Sequence, residues 1–274
     1  MSIENAVDDA IGWSDNALKA PIAGKAAISY SFWCYPQTLR PDQYGPYEYL
    51  CDFGHFNGAS AAVRVILSYS GKINLKVRTN WDESYGFRTA NPVLTTGSWQ
   101  HIVITIDIAN DQIKIYRNGV LDTTDNHAWT DTTFVLSGTN PDPDMLFSGQ
   151  FDGVGAECAL FNGVLAQAGV DALYAGGSIV HRMPQAVGGS NLLGYWPLHD
   201  GNAGTVVGAA VYPQDFGPSG YHQDAVTATP DWIGTVMSIL GAGPLSVMAA
   251  AAAATGVYYP PQQHVLPQYL RGIA

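Results

Sequence analysis

The chain has 274 residues, of which 47% are hydrophobic and 11% aromatic, so it can bury enough apolar surface to fold and disorder of the whole chain is excluded. Only 13% of the residues are charged, about half of the ~25% usual in soluble domains, and the formal net charge is -11. This balance excludes nucleic acid as an expected partner, because phosphate binding depends on clustered Lys and Arg.

Short apolar runs separated by turn sequences fill the first half of the chain. Residues 28–38 place apolar and polar side chains in alternation, which is typical of a strand. The Asn118-Gly119 pair favours a tight hairpin turn between residues 112–117 and 120–124. The connections are too short for the helical crossovers of a parallel sheet, so we predict an antiparallel sandwich. Further strands are predicted at 47–53, 61–69, 72–79 and 100–107.

Three stretches carry a family resemblance. Residues 28–36 run from an alternating strand through Trp33 to a Pro-containing turn, and residues 97–103, GSWQHIV, precede the hairpin sequence IYRNGV at 115–120. Residues 151–173 combine a strand with a short helix, predicted over 165–174 as a cap on the sandwich. In this order they resemble the laminin-G-like, concanavalin-A-like jelly-roll superfamily. The resemblance implies an all-β fold, an antiparallel two-sheet jelly-roll sandwich.

A second block lies unusually late in the chain. Residues 192–198, LLGYWPL, with the turn-like residues 217–222, resemble the segment that often opens domains of this superfamily. Too few residues follow for a second jelly roll, so we predict that the block completes the same domain from the other terminus. The predicted organisation is an N-terminal segment 1–24, a jelly-roll domain 25–232 and an extended apolar arm 233–274.

Catalysis is not expected. Some members of the superfamily are glucanases, which need two carboxylates on one strand face, whereas the paired acidic residues of this chain fall in turn-like sequence. No nucleophile elbow, phosphate-binding loop or HExxH zinc motif is present. His101 lies within a predicted strand, and we interpret it as structural. The three cysteines are interpreted as buried thiols, and no resident cofactor is predicted.

Two turn regions are candidate binding sites. Some relatives hold Ca²⁺ at the sandwich rim, and the loop with Asp142 and Asp144 is the best calcium candidate, the alternative being a solvated acidic turn. Trp81 and Trp129, together with Asp82, form a candidate glycan-binding rim, since aromatic faces stack on sugar rings. The alternative is that the two tryptophans cap the core of the sandwich.

The C-terminal arm is the most unusual part of the sequence. Residues 232–270 contain no Asp, Glu, Lys or Arg. The apolar run 233–257 is long enough to cross a bilayer, but glycines and Pro244 interrupt it, so a membrane span is not favoured. We predict instead an extended ribbon that packs on another chain. The residues expected to make this contact are Met248, Tyr258, Tyr259, Pro260, Pro261, Leu266, Tyr269 and Arg271.

The expected context follows from the two ends of the chain. The first twenty residues lack the basic start and apolar run of a signal peptide, and the arrangement with the late block near the C-terminus resembles that of laminin-G-like proteins in tailed-phage virions. We therefore expect a non-enzymatic capsid decoration or other virion surface protein, assembled in the host cytoplasm. Its expected partners are the major capsid protein, copies of itself and glycans. The alternatives are a bacterial cell-surface carbohydrate-binding or adhesion protein and a membrane-anchored protein.

Overall fold

The computed structural model describes residues 2–5, 11–13, 22–39, 48–53, 62–80, 82–135, 144–149, 151–180, 183–196, 225–226 and 231–233. These residues form two antiparallel sheets and two short helices, which confirms the predicted all-β sandwich. The strands are β1 (Ser2–Asn5), β2 (Ile11–Trp13), β3 (Ala27–Pro36), β4 (Glu48–Phe53), β5 (Ala62–Leu67), β6 (Ile73–Arg78), β7 (Ser84–Arg88), β8 (Gln100–Asp107), β9 (Gln112–Arg117), β10 (Val120–Asn126), β11 (Asp144–Gly149), β12 (Gly153–Asn162), β13 (Leu192–Trp196), β14 (Ala225–Val226) and β15 (Asp231–Ile233). The helices are α1 (Gln167–Tyr174) and α2 (Met183–Gly188). Neither is long and apolar enough to cross a membrane.

The first sheet is organised around β12. Its order is β10-β9-β8-β3-β12-β1-β15, with β13 also paired to β12. One edge of β12 pairs with β3, while the other edge pairs with β1 through residues 153–155 and with β13 through residues 158–161. β13 adds residues 192–196 of the late block to the first sheet, as expected if the block completes the domain. Residues 197–198 and 217–222 lie outside the described residues, and the domain bounds 25–232 stay a prediction.

The second sheet has the order β14-β2-β11-β4-β5-β6-β7. Burial alternates strictly along β6, where Ile73, Leu75 and Val77 lie in the core. Val63, Val65 and Leu67 of β5 lie in the core opposite them, while Ala62 and Ile66 on the other face of β5 are also buried. Successive side chains of a strand point to opposite faces, so the residues between them face outward. This alternation positions the surface of the second sheet that is described below as the candidate site.

The core between the sheets is aromatic at its centre. The ring of Phe147 lies edge-on to Phe32 at 5.9 Å between centroids and packs at 5.3 Å against Phe151. Gly155 makes room for this arrangement, because a Cβ at that position would lie 2.2 Å from the Phe147 ring. The core also holds the fully buried Trp196 of β13.

The three cysteines are free and buried, as predicted. Cys34, Cys51 and Cys158 come from different strands and lie among the apolar side chains of the core. Burial raises the pKa of the Cys34 thiol and raises that of Cys158 well above its usual value. Both thiols are therefore held in the protonated form.

The predicted hairpin turn is confirmed. Asn118 and Gly119 both have positive φ, at 51° and 81°, between the antiparallel strands β9 and β10. Two consecutive residues with positive φ match the twist of the flanking strands, and the Asn-Gly pair tolerates this conformation. The turn places Val120 and Leu121 on the exposed edge of the first sheet.

Two helices cover the outer face of the first sheet. The predicted helix 165–174 corresponds to α1, whose Val170 and Leu173 pack on Val103 and Phe161. Ala168 of α1 is exposed, whereas Val170 is buried. The larger side chain is buried because it fills the space above the sheet.

His101 lies beneath α1 and is structural, as the sequence predicted. It is 1% exposed, and its Nε2 lies 2.9 Å from the hydroxyl of Ser31 in a hydrogen bond. Its ring packs at 5.0 Å from Trp33, on which Tyr174 of α1 stacks at 5.9 Å. Burial lowers the pKa of His101 from 6.5 to about 3, so the ring is neutral in the folded protein.

This burial predicts a pH dependence of stability. Between pH 6.5 and about 3 the unfolded chain binds a proton at His101 that the folded chain does not, so acidification favours unfolding. The contribution is about 1.4 kcal/mol for each pH unit within this window. Urea unfolding of the native chain and of His101→Gln at pH 7 and pH 5 measures it. We expect the native chain to lose more stability on acidification than the variant, and equal losses would contradict the assignment.

Candidate functional site

The predicted site residues fall into different parts of the structure. The contact residues of the C-terminal arm lie outside the described residues, as do Trp81 and Asp142. Asp144 begins β11, and its side chain is not described. Within the described ranges no three His, Cys, Asp or Glu side chains come together as metal ligands. Because the predicted calcium loop lies largely outside those ranges, calcium binding stays a prediction.

Trp129, one of the predicted rim residues, lies in the core. It is 9% exposed and packs among the buried side chains between the sheets. Its indole lies edge-on to Tyr85 at 5.9 Å and to His127 at 4.4 Å between ring centroids. In this position the indole caps the sandwich, and its face is not presented to solvent. Asp82 is exposed in the turn between β6 and β7, where its backbone N–H donates to the side-chain oxygen of Asn80.

A carboxylate holds this turn to the segment that follows β10. Glu83 accepts hydrogen bonds from the Thr79 hydroxyl at 2.9 Å and from the backbone N–H groups of Thr130 at 2.7 Å and Asp131 at 3.1 Å. Desolvation alone would raise the pKa of Glu83, but these hydrogen bonds outweigh it and lower the pKa. Asn80 adds a hydrogen bond to the Asp131 carboxylate. These hydrogen bonds fix residues 79–83, around the β6–β7 turn, to residues 130–131, and we call this contact region between the two sheets the rim.

A second contact stabilises the same rim. The Tyr85 hydroxyl donates to the Asp125 carboxylate at 2.6 Å, and the His127 ring stacks on the Tyr85 ring at 3.9 Å. The hydrogen bond to Asp125 raises the pKa of Tyr85 to about 12, so the hydroxyl remains a donor at neutral pH. The rim is built from side chains that already have partners within the protein.

The outer surface of β5, β6 and β7 concentrates positive charge. Its nine outward positions carry four of the twelve Lys and Arg residues of the chain and no Asp or Glu. We call this surface the basic face. Its residues are Arg64, Asn74, Lys76, Arg78, Ser84, Gly86 and Arg88, whereas Ala62 and Ile66 at the remaining two positions are buried.

Arg64 anchors the basic face to the neighbouring strand. Its guanidinium forms a salt bridge with Asp52 of β4, with Nη2 at 2.6 Å and Nε at 2.9 Å from the same carboxylate oxygen. The two side chains are only 13% and 5% exposed. The guanidinium also lies 5.0 Å from the centre of the Tyr49 ring, in a cation–π contact. Arg64 is thus held on two sides.

The next basic residues stand close to Arg64. Lys76 is directly opposite Arg64 in the β5–β6 register, and Arg78 is the diagonal neighbour two residues further along β6. Directly opposite side chains lie ~4.5 to 5.5 Å apart at Cβ, and like charges there are destabilising. Burial and then the charge of Arg64 lower the pKa of Arg78. The charge of Arg64 therefore acts on Arg78.

The edge strand β7 completes the basic face. Arg88 is exposed, and its guanidinium lies 5.0 Å from the centre of the Tyr69 ring. Gly86 stands opposite Lys76, and a Cβ at Gly86 would meet its nearest neighbours at 3.5 Å, an ordinary contact distance. A side chain would fit there, so its absence leaves an open shelf beside Lys76. Glycine inside a strand often marks a place where another molecule approaches the backbone closely.

The basic face is not apparent from the sequence alone. The basic residues are spread over residues 64–88, and only the strand register brings them together. The sequence nevertheless contains a pattern that indicates it. Arg64, Lys76, Arg78 and Arg88 each stand next to apolar residues in segments where polar and apolar side chains alternate. Pairing the alternating patterns of 62–67, 73–78 and 84–88 would have placed all four on one surface.

Comparison with known proteins gives the following matches. A laminin G-like family model, described as the concanavalin A-like lectin/glucanases superfamily, matches residues 7–170. A solved candidate carbohydrate-binding protein from Bacteroides ovatus matches with a TM-score of 0.53 and 13% identity, over 85% of this chain and 59% of that chain. A similarity at this identity shows the fold. A search of curated protein sequences gave no significant match.

Two further solved structures are similar at lower TM-scores. The CBM40 module of a sialidase from Ruminococcus gnavus, bound to α2,3-sialyllactose, gives a TM-score of 0.47 at 14% identity, over 62% of this chain and 96% of that module. Domain 4 of an extracellular arabinanase from Geobacillus stearothermophilus, in complex with arabinotriose, gives 0.41 at 17% identity, over 63% of this chain and 76% of that domain.

The hydrogen bonds of the rim lead us to expect that Glu83 stabilises the folded chain measurably. Glu83→Gln removes the charge that accepts three hydrogen bonds, so we expect the free energy of unfolding to fall by about 1 to 3 kcal/mol. The matched control is Asp82→Asn, which removes the neighbouring exposed carboxylate and should change stability by less than about 0.5 kcal/mol. Urea unfolding of both variants at pH 7 makes the comparison. Equal effects would mean that Glu83 does not hold the rim.

Proposed function

The chain belongs to the concanavalin A-like lectin/glucanases superfamily, and on that premise we propose that it is a non-catalytic glycan-binding protein. The observation that carries the proposal is the basic face, an outward sheet surface with Arg, Lys and Asn side chains and an open shelf at Gly86. Such side chains donate hydrogen bonds to the hydroxyl and ring oxygens of sugars. The rest of the second sheet and the rim hold this surface in place.

The absence of catalysis is part of the proposal. Glycoside hydrolysis uses two carboxyl groups on opposite sides of the scissile bond, about 5 to 10 Å apart. The nine outward positions of β5 to β7 contain no carboxylate, and Asp52 beside them is engaged by Arg64. A surface of this composition can bind a glycan and lacks the acid and nucleophile needed to cleave it.

If a glycan binds at the basic face, a bulky side chain introduced at Gly86 should obstruct its binding. Gly86→Tyr should be accommodated by the strand, because a Cβ meets only ordinary contacts, but its ring would fill the shelf beside Lys76. We expect binding to weaken by about tenfold or more while the melting temperature stays within a few degrees. A glycan array identifies ligands of the native chain, and calorimetric titration of the best of them measures the change.

The control for this experiment is Val120→Tyr, which adds the same ring to the exposed edge of the first sheet. It should leave binding unchanged. Equal binding by the native chain and Gly86→Tyr would remove the basic face as the site. A native chain that binds no glycan on the array would contradict the proposed function itself.

A finer assignment concerns where the protein acts. We propose a capsid decoration or other surface protein of a tailed phage, on the virion surface, with the major capsid protein and copies of the chain as partners. The supporting observation is the uncharged stretch 232–270 with its Pro-rich and Tyr-rich end, which suits an extended segment buried on another chain. Superfamily membership fits equally well with the alternative, a bacterial cell-surface carbohydrate-binding or adhesion protein.

The arm makes this assignment testable by truncation. A chain ending at Ile233 keeps β15, which pairs with β1, and loses the arm residues that follow. We expect it to retain the β-rich circular dichroism spectrum of the full chain and to lose docking. Quantitative mass spectrometry of density-gradient particles measures how many copies of each chain co-band with the capsid protein. Equal incorporation of both chains would overturn the arm hypothesis, and absence of the full chain from particles would favour the cell-surface alternative.

A further inference from the structure

We propose that β10, an edge strand of the first sheet, binds residues 255–259 of the C-terminal arm of another copy of the chain as an added strand. The inference rests on the proposed role of the arm and names the surface that receives it. β10 ends the order of the first sheet, and within the described residues only β9 pairs with it. Its other edge therefore presents backbone N–H and C=O groups that can pair with a further strand.

The side chains of β10 leave this edge accessible. Four large apolar side chains are exposed among the described residues, and two of them, Val120 and Leu121, begin β10 at 70% and 44% exposure. A bulge follows, because Leu121 and Thr123 pair with consecutive residues of β9. From Thr123 to Asn126 the pairing is regular. The edge thus offers an exposed apolar end and four regular residues, which is enough for a short added strand.

The charge of the edge disfavours direct pairing of β10 with β10 of another copy. The strand carries Asp122 and Asp125 and no basic residue, so two such edges would bring like charges together. The arm has none of this repulsion. All 23 Asp and Glu residues of the chain precede it, and its single Lys or Arg is Arg271. The arm can therefore approach an acidic edge at no electrostatic cost.

Residues 255–259, TGVYY, are well suited to form the added strand. Four of the five are Thr, Val or Tyr, which favour strands. Pro260 and Pro261 follow, and because proline has no backbone N–H the added strand ends there. The segment includes Tyr258 and Tyr259, which are among the contact residues predicted from the sequence. Its apolar side chains would shield the apolar end of β10 from water, which favours docking.

The origin of the arm favours docking between copies. The arm follows β15, which lies at the opposite edge of the first sheet from β10. The roughly 20 residues between Ile233 and Thr255 can span up to ~70 Å. The distance across the sheet from β15 to β10 is only ~29 Å. An arm of this reach can cross to a second copy, so that each copy donates an arm at one edge and receives one at the other.

Disulfide trapping in the full chain tests the contact. One variant carries Thr124→Cys at an exposed position of β10, and a second set carries Cys at each of residues 255–259 in turn. The three native cysteines are buried and do not compete. A disulfide requires Cα atoms within ~7 Å of each other. Mixing the two kinds of chain under mild oxidation should therefore link Thr124→Cys to at least one arm position.

The matched control is Ser84→Cys, an exposed position on β7 at the edge of the second sheet. It should give at least about tenfold less linked dimer with the same arm variants, because it lacks the local concentration that docking supplies. Equal yields from the two edges would mean random collision and would overturn the inference.

Self-association of the chain without added cysteines gives an independent measurement. Val257→Pro removes a backbone N–H from the middle of the proposed strand, so we expect the dissociation constant from sedimentation equilibrium to rise at least about tenfold. The control is Gln262→Pro, which adds a proline beside Pro261 and outside the strand, and it should change the constant less than about twofold. Equal effects of the two prolines would contradict strand addition.

The remaining outcomes separate this inference from the proposed role of the arm. Cross-links that form only within single chains carrying both cysteines would mean that each arm docks on its own β10, and the inference is wrong. Preferential linkage of Thr124→Cys to itself would mean that the edges pair directly, with the same result. If the full chain is monomeric in solution but co-bands with particles through its arm, self-docking is wrong and the virion assignment stands. If truncation at Ile233 also leaves incorporation unchanged, both are wrong.

Discussion

The fold depends on the pairing of β12 along both of its edges. β3 occupies one edge, and the other is shared by β1 from the start of the chain and β13 from its later part. Between the residues that pair with β1 and those that pair with β13, the register of β12 against β3 shifts by one residue, between Ala156 and Ala159. Glu157 has a positive φ of 52° at this irregularity. The extra residue returns Cys158 to the core and lets Glu157 accept a 2.5 Å hydrogen bond from the Tyr195 hydroxyl of β13.

This arrangement gives the outer faces of the two sheets different roles. The outer face of the first sheet is covered by α1 and α2, and its polar side chains His101 and Ser31 are buried and hydrogen-bonded to each other. The outer face of the second sheet along β5 to β7 instead carries basic side chains beside exposed backbone at Gly86. The rim contacts of Glu83 and Tyr85 keep the two sheets in register with each other.

Sequence patterns predicted the fold well, because its determinants are local. Alternating apolar residues and the Asn118-Gly119 turn identify strands and a hairpin without knowledge of their neighbours. The sequence left two positions open for Trp129, a glycan-binding rim or a cap on the core, and it is edge-on packing against His127 and against Tyr85, which is distant in sequence, that places it as a cap. The basic face was missed for a related reason. Its residues are distant in sequence, and each one alone is an ordinary polar position of a strand.

The three buried cysteines make the stability of the sandwich independent of the redox potential around it. No disulfide links the described strands, so a reducing environment has no covalent bond to break there. Burial and a raised pKa keep the thiols of Cys34 and Cys158 protonated, so oxidants and alkylating reagents meet no reactive thiolate while the sheets remain together. Modification of these two thiols accordingly requires the sandwich to open. The rate of thiol modification therefore reports on the opening of the sandwich.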